Sequence, residues 1–326
     1  MNIHDRINSY KIILYFLSVY GRYPSFREKY YFTNYIKTNS HEEVFTEMIV
    51  KLEFKKSISL GLSDEEVNHY YHSTNNRSQP KIVHMTLKTF DEIKPHSEIN
   101  YIKKLWEDTY DCSVQRYNDG ECRKMIEAHF DERVLKAYDK LIPGAFRSDI
   151  WRLCALYVYG GIYSDVHIRP HFKSEPSSLL DSADYVFCID KPSSSTYIYN
   201  ALMKMPKKSK LIKIILDEIL SNVEQEYYPE RDLEVSGPGV HGKVILDYLD
   251  IEVFTEGFIE KNGELFLFLT HKKNYKQHKH EYSISLDNTI VFLCRYAGYR
   301  EELQIICDNE HYSELFKRGE IYQKTY

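Results

Sequence analysis

Residues 146–171, FRSDIWRLCALYVYGGIYSDVHIRPH, are the stretch from which the rest of the chain is read. Ile150, Leu153, Cys154 and Tyr157 recur at i, i+3, i+4 and i+7, the spacing of one helical face. Ser148 or Asp149 is the expected N-cap. Gly160-Gly161 ends the helix, where a residue with positive φ costs least. Ile162 to Ile168 then reads as a short strand, stopped near Pro170. The stretch as a whole reads as helix, glycine turn, strand.

Side chains alternate faces along a strand, so Asp165 and His167 are expected to point the same way. A carboxylate and an imidazole side by side at a strand end can hold a divalent metal. A metal there can neutralise a diphosphate, as transfer from a nucleotide sugar requires at the leaving group.

The same stretch resembles the DXD-containing sugar transferases of glycosyltransferase family 32, to which the large clostridial glucosylating toxins are more distantly similar. The family pattern runs R-x-D-x-x-R, an apolar helix, then Y-G-G-x-Y-x-D-x-D. Here it reads Arg147, Asp149, Arg152, then Tyr159-Gly160-Gly161-Ile162-Tyr163-Ser164-Asp165-Val166-His167. The last position departs, with His167 in place of the second Asp. The resemblance implies a GT-A-like, Rossmann-type fold with a mixed, mostly parallel sheet flanked by helices. It implies that Asp149 and Arg152 contact the sugar hydroxyls and phosphates of the donor, beside Gly160 and Gly161. Asp165 is then expected to bridge ribose or sugar and the metal, with His167 as a direct metal ligand. Mn²⁺ is the expected ion, Mg²⁺ the second choice, and transfer proceeds with retention. Imidazole brings no negative charge and must be neutral to bind, so metal use is expected to be weaker and more pH-dependent than at two carboxylates.

Upstream, Pro80 to Lys88 (PKIVHMTLK) resembles the family opening P-K-I-I-H-Q-T-W-K, a strand whose end cradles the nucleotide base. By that resemblance His84, Met85 and Leu87 sit beside the donor, at the carboxyl end of a strand where α/β sheets bind nucleotides. Read alone, His84 is a hydrogen-bonded core histidine. Ile99 to Tyr110 reads as a helix and Cys112 to Tyr117 as a strand, with Arg116 and Asn118 as weaker nucleotide candidates. Downstream, Ser193 to Asn200 is polar enough to be a site loop. Ser236-Gly237-Pro238-Gly239 resembles the family's T-G-P motif, and a Gly-Pro turn lets backbone approach a ligand closely. Gly237 and Pro238 are therefore donor-site candidates, with the amides of a helix over 240–249 behind them. Arg300 or Arg295, after the last strand, suits the diphosphate because guanidinium matches phosphate oxygens. The run HKKNYKQHKH reads as a polar hairpin loop.

The bulk numbers bound these readings. The chain has 326 residues, 43% hydrophobic and 28% charged, with net charge −5, which gives no nucleic-acid-binding surface. Its 29 tyrosines can line sugar sites through flat faces and hydroxyls. The six cysteines form no C-x-x-C, and those inside apolar segments read as buried thiols in a reducing compartment. The start, MNIHDRINSYK, lacks the apolar run of a signal peptide. Ile12 to Tyr20 is about half the length of a membrane span, so a cytoplasmic chain with no transmembrane segment is expected. Residues 1–78 read as a helical extension and 79–326 as the catalytic domain. The expected activity is metal-dependent transfer from a UDP- or GDP-sugar to a glycan or protein acceptor. The competing reading is a non-catalytic glycosyltransferase-like binding or scaffold protein in which Asp-Val-His is a degenerate site.

Overall fold

The computed structural model describes residues 81–324, apart from 172–175, 275–279 and 308–309. The helical extension expected over 1–78, and part of the HKKNYKQHKH run, lie outside the described residues. Residues 79–177 and 184–326 make one compact unit, which carries all that follows.

Its first half alternates strands and helices. β1 (Ile82–Thr86) leads through α1 (Glu98–Tyr110) to β2 (Ser113–Tyr117). Ser97 caps α1 by accepting from the Asn100 amide, and Ile99, Ile102, Leu105 and Trp106 form its buried stripe. Three helices follow: α2 (Asp119–His129), α3 (Glu132–Lys140) and α4 (Gly144–Tyr159). Asn118 and Glu121 close a reciprocal capping box at the start of α2. α4 is buried on nearly every side, from Asp149 through Leu156 without a break. It begins five residues before the expected cap. Its N-cap is Pro143, with no side-chain hydrogen bond, so Ser148 and Asp149 lie inside the helix and their side chains are released for other work.

After α4 the chain enters β3 (Gly161–Ser164), then β4 (Ile168–Pro170). Gly161 has φ +92°, and a Cβ there would stand 2.5 Å from the Ile82 carbonyl oxygen. Only glycine allows β3 this close beside β1. The remaining strands are β5 (Tyr185–Asp190), β6 (Leu202–Met205), β7 (Gly257–Lys261), β8 (Glu264–Lys273), β9 (His280–Leu286) and β10 (Thr289–Tyr296). The helices α5 (Lys210–Glu224), α6 (Pro238–Leu249), α7 (Tyr299–Cys307) and α8 (Tyr312–Lys317) complete the unit.

One sheet runs in the order β2-β1-β3-β6-β5-β8-β9-β10-β4, with β7 beside β8. It is mixed and flanked by helices, as expected for the α/β class. Parallel pairing joins β1 to β2, β1 to β3 and β5 to β8, and the other pairings among the described strands are antiparallel. The sheet is therefore less parallel than expected, and the reason is local. Asn262-Gly263 and Asp287-Asn288 all have positive φ, the requirement of two-residue hairpin turns. Such turns can only return the chain antiparallel. β6 pairs with both β3 and β5 and separates the two parallel groups.

Candidate active site

The expected strand over 162–168 is interrupted where it matters. β3 stops at Ser164, the Ile168 amide donates to the Asp165 carbonyl at 3.0 Å, and β4 begins. Asp165 and His167 thus meet across a turn with Asp in its favoured first position, rather than by strand alternation. The Asp165 Oδ2 lies 3.9 Å from the His167 Nδ1. That distance is beyond a hydrogen bond. Tyr163 donates its hydroxyl to the other Asp165 oxygen at 2.6 Å. The Asp165 side chain is 31% exposed and that of His167 is 4% exposed. Burial holds the His167 imidazole down to about 4, against the pull of Asp165, so it is neutral at ordinary pH. Its Nδ1 is buried without a hydrogen-bond partner.

Both residues face a cleft of about 820 Å³. Thr86, Leu87 and Lys88 at the end of β1 form one part of its lining, with Asp119 and Cys122 of α2. Ser148, Trp151 and Arg152 of α4 line it deeper in, and Arg295, Tyr299 and Arg300 line it from the end of β10 and the start of α7. Tyr299 stacks on His167 with ring centroids 4.7 Å apart.

Asp149 and Arg152 are one helical turn apart and form a buried ion pair of 3.1 Å. The Asp149 carboxylate also accepts from Asn200 Nδ2 at 2.9 Å and Ser236 Oγ at 2.8 Å. Burial pushes that carboxyl up, and Arg152, Ser236 and Asn200 oppose the push. Arg152 donates to the Ser148 and Asn200 carbonyls and to Ser148 Oγ, and its guanidinium lies 4.3 Å from the Tyr163 ring centroid. The two side chains expected to touch the donor are thus largely committed to protein partners. Arg152 lines the cleft, and Asp149 stands behind it as the anchor joining α4 to the Asn200 loop and to Ser236.

The remaining expected residues divide. Leu87 and Arg300 line the cleft. His84 and Met85 are fully buried and do not. His84 Nε2 binds the Gly160 carbonyl at 3.0 Å, and burial lowers its imidazole to about 4, so it pins the glycine turn from inside the sheet. Gly160 and Gly161 shape that turn, with φ of 70° and 92°. Gly237 is the N-cap of α6 and Pro238 its first residue. A Cβ at Gly237 would come within 3.2 Å of Asp149 Oδ2, so this glycine makes room for the carboxylate. Arg116 donates to Asn100 Oδ1 and the Ile99 carbonyl and Asn118 caps α2, so neither lines the cleft.

Sequence reasoning missed Tyr299, which sits one residue from the Arg300 it singled out. It offered Arg295 only as an alternative. Arg295 lines the cleft from within β10 at a left-handed φ of 55°, a conformation that costs a non-glycine residue about 1 kcal/mol. Strain of this kind gathers at functional sites. No local sequence signal marks it.

Residues 95–178 match the model of a family described as a glycosyltransferase sugar-binding region containing a DXD motif. No curated protein matches the chain. Among solved structures, the chain is similar to the PaToxG glycosyltransferase at 18% identity, covering 52% of this chain and 70% of that one, with a TM-score of 0.38. It is similar to the ligand-free glycosyltransferase domain of the YGT toxin at 11% identity, covering 75% and 69%, with a TM-score of 0.29. The UDP-bound form of that domain gives 11%, 75% and 68%, with a TM-score of 0.28. No helix among the described residues is long and apolar enough to cross a membrane.

Proposed function

We propose that this chain, a glycosyltransferase by the DXD-type sugar-binding region at residues 95–178, moves a sugar from a UDP- or GDP-sugar to a glycan or protein acceptor with retention, using a divalent metal. The observation that carries the reading is the Asp165–His167 pair, which lies within that region and opens on the 820 Å³ cleft.

The residues fit a metal. A carboxylate oxygen and an unpartnered nitrogen of a neutral imidazole face each other 3.9 Å apart, an arrangement that a cation stabilises when that nitrogen presents its lone pair. Among the described residues no group of three His, Cys, Asp or Glu forms a metal site. Asp165 and His167 are the two side chains that would hold the ion. A divalent ion bound there, Mn²⁺ before Mg²⁺, supplies positive charge to the departing nucleoside diphosphate. The protein's own share is positioning. Tyr163 orients the Asp165 carboxylate, and Arg152 fixes Ser148 and the Asn200 backbone. Arg295 and Arg300 bring guanidinium charge to the same cleft, where phosphate oxygens suit them. In this reading 79–326 is the catalytic domain and 1–78 an extension outside it.

The test is donor binding by thermal shift, with UDP- and GDP-sugars, with and without Mn²⁺, on the full chain and on Asp165→Ala. A ligand present at 100 times its Kd stabilises by about 2.7 kcal/mol. A metal-dependent shift with one nucleotide, lost in Asp165→Ala, is the expected result. A shift that is indifferent to both Mn²⁺ and Asp165 overturns the metal assignment.

A further inference from the structure

Behind His167, outside the cleft lining, lies a polar chain that no step above uses. The His167 Nε2 is 3.1 Å from the Tyr199 hydroxyl. The Tyr199 ring lies flat on His271, with centroids 3.7 Å apart and planes within 4°. His271 Nδ1 is 3.0 Å from Asp190 Oδ1, and His271 stacks again on Tyr282 at 5.0 Å. Tyr199, His271 and Asp190 are each less than a tenth exposed.

Polar groups buried this deeply need a purpose or a partner. Asp190 ends β5, and residue 271 pairs with it in register on β8, so the sheet itself sets the Asp190–His271 contact. The ring stack then fixes the plane of Tyr199, and with it the direction of the hydroxyl. That hydroxyl meets one ring nitrogen of His167, while the other nitrogen faces Asp165.

Two neutral tautomers of His167 satisfy the Tyr199 contact. If Nδ1 carried the hydrogen, that N–H would be buried without a hydrogen-bond acceptor, Asp165 Oδ2 standing 3.9 Å away. A buried donor left without an acceptor is costly and uncommon in folded proteins. If Nε2 carries it, the hydrogen is donated to the Tyr199 oxygen and Nδ1 presents a bare lone pair toward Asp165. The second arrangement is the one a cation needs.

We propose that Tyr199, held in plane by the Asp190–His271 pair, is a positioning residue that accepts the Nε2 hydrogen of His167 and so aims its Nδ1 lone pair at Asp165. This rests on the metal reading of the Asp165–His167 pair, and it makes that reading specific to a chain in which His replaces the second carboxylate. A carboxylate at 167 has no tautomer to set.

The test has two arms. Nitrogen-15 spectra of the histidine rings in the full chain, without metal, assign the tautomer directly, with His167→Gln identifying the resonance. The expected result is an unprotonated Nδ1 and a protonated Nε2 at His167. The reverse pattern overturns the proposal whether or not metal binds. The second arm measures Mn²⁺ affinity by electron paramagnetic resonance, with UDP and separately with GDP. Tyr199→Phe keeps the ring and its stack and removes only the oxygen. It should weaken Mn²⁺ binding about 10- to 100-fold, the usual loss for a group that orients a metal ligand. The same substitution in a His167→Asp background should leave affinity unchanged. An equal loss in both backgrounds shows a merely structural role and overturns the proposal. Mn²⁺ binding that survives Asp165→Ala unchanged instead overturns the metal reading, a failure distinct from a wrong tautomer.

Discussion

Arg152 Nη2 lies 3.1 Å from Asp149 Oδ1, and the two side chains are only 6% and 8% exposed. Removing one partner of such a pair strands the other as a buried charge. Asp149→Ala should therefore cost about 3–5 kcal/mol of stability, read from urea unfolding. Asp149→Asn keeps one acceptor oxygen for Asn200, and its amide can donate to the Ser236 hydroxyl in place of accepting from it, so it should cost less. A loss below about 1 kcal/mol for Asp149→Ala would place it with ordinary surface residues and contradict the anchoring role.

His167→Asp restores the second carboxylate of the DXD pattern. It adds negative charge beside Asp165 and removes the ring nitrogen that meets the Tyr199 hydroxyl. Turnover should be kept or raised, and half-maximal Mn²⁺ concentration should fall. Titrating activity against Mn²⁺ checks this. Metal binding that persists while turnover disappears would show that His167 does something other than ligate.

Acid should destabilise the fold through its buried histidines. Burial holds His84 at about 4 and His241 at about 3, against an ordinary value near 6.5. Between those values the unfolded chain binds more protons than the folded one, so stability rises with pH. Their contribution is complete above roughly pH 6.5 and is lost progressively below it, at about 1 kcal/mol per pH unit for each histidine. Urea midpoints from pH 7 to pH 5 measure the slope. His84→Gln should flatten it by its share, whatever the variant costs at pH 7.

Gly161→Ala should be far more damaging than Gly263→Ala, although both have positive φ. A Cβ at Gly263 meets nothing within 4 Å, whereas one at Gly161 stands 2.5 Å from the Ile82 carbonyl oxygen. The first should cost about 1 kcal/mol of backbone strain, and the second about 3 kcal/mol or more, because β1 must also move. Equal losses would show that conformational strain, and not the approach of β3 to β1, decides the position.

What could be read from the chain follows the range of the forces involved. The helix, glycine turn and strand of 146–171 are local, and periodicity with Gly160-Gly161 revealed them. The N-cap did not follow, because Pro143 starts α4 without any side-chain bond. β6 is only Leu202–Met205, too short for a period to register, although it joins the two parallel groups. β9 begins at His280, at the end of the basic run that read as a loop. At the site, Asp165 and His167 were legible as a pair because they are two residues apart. Tyr199 and Asn200 were noticed only as the end of the polar loop from Ser193 to Asn200. Their partners, His167 and Asp149, are 32 and 51 residues away, a distance that composition and spacing do not span. His84 read as a core histidine when taken alone, and its bond to the Gly160 carbonyl accords with that.

The sheet order has a mechanical consequence. β3 is third along the row of strands and β4 is last, yet only Asp165, Val166 and His167 separate them in the chain. The seven strands from β3 round to β4 therefore behave as a hoop whose buckle is this tripeptide, and Trp106 of α1 tightens it by donating to the Ile168 carbonyl at 2.9 Å. Whatever grips Asp165 and His167 together fastens the buckle. Donor binding should then be felt away from the cleft, as slower amide exchange where Ile168 faces Cys294 and Arg169 faces Leu293.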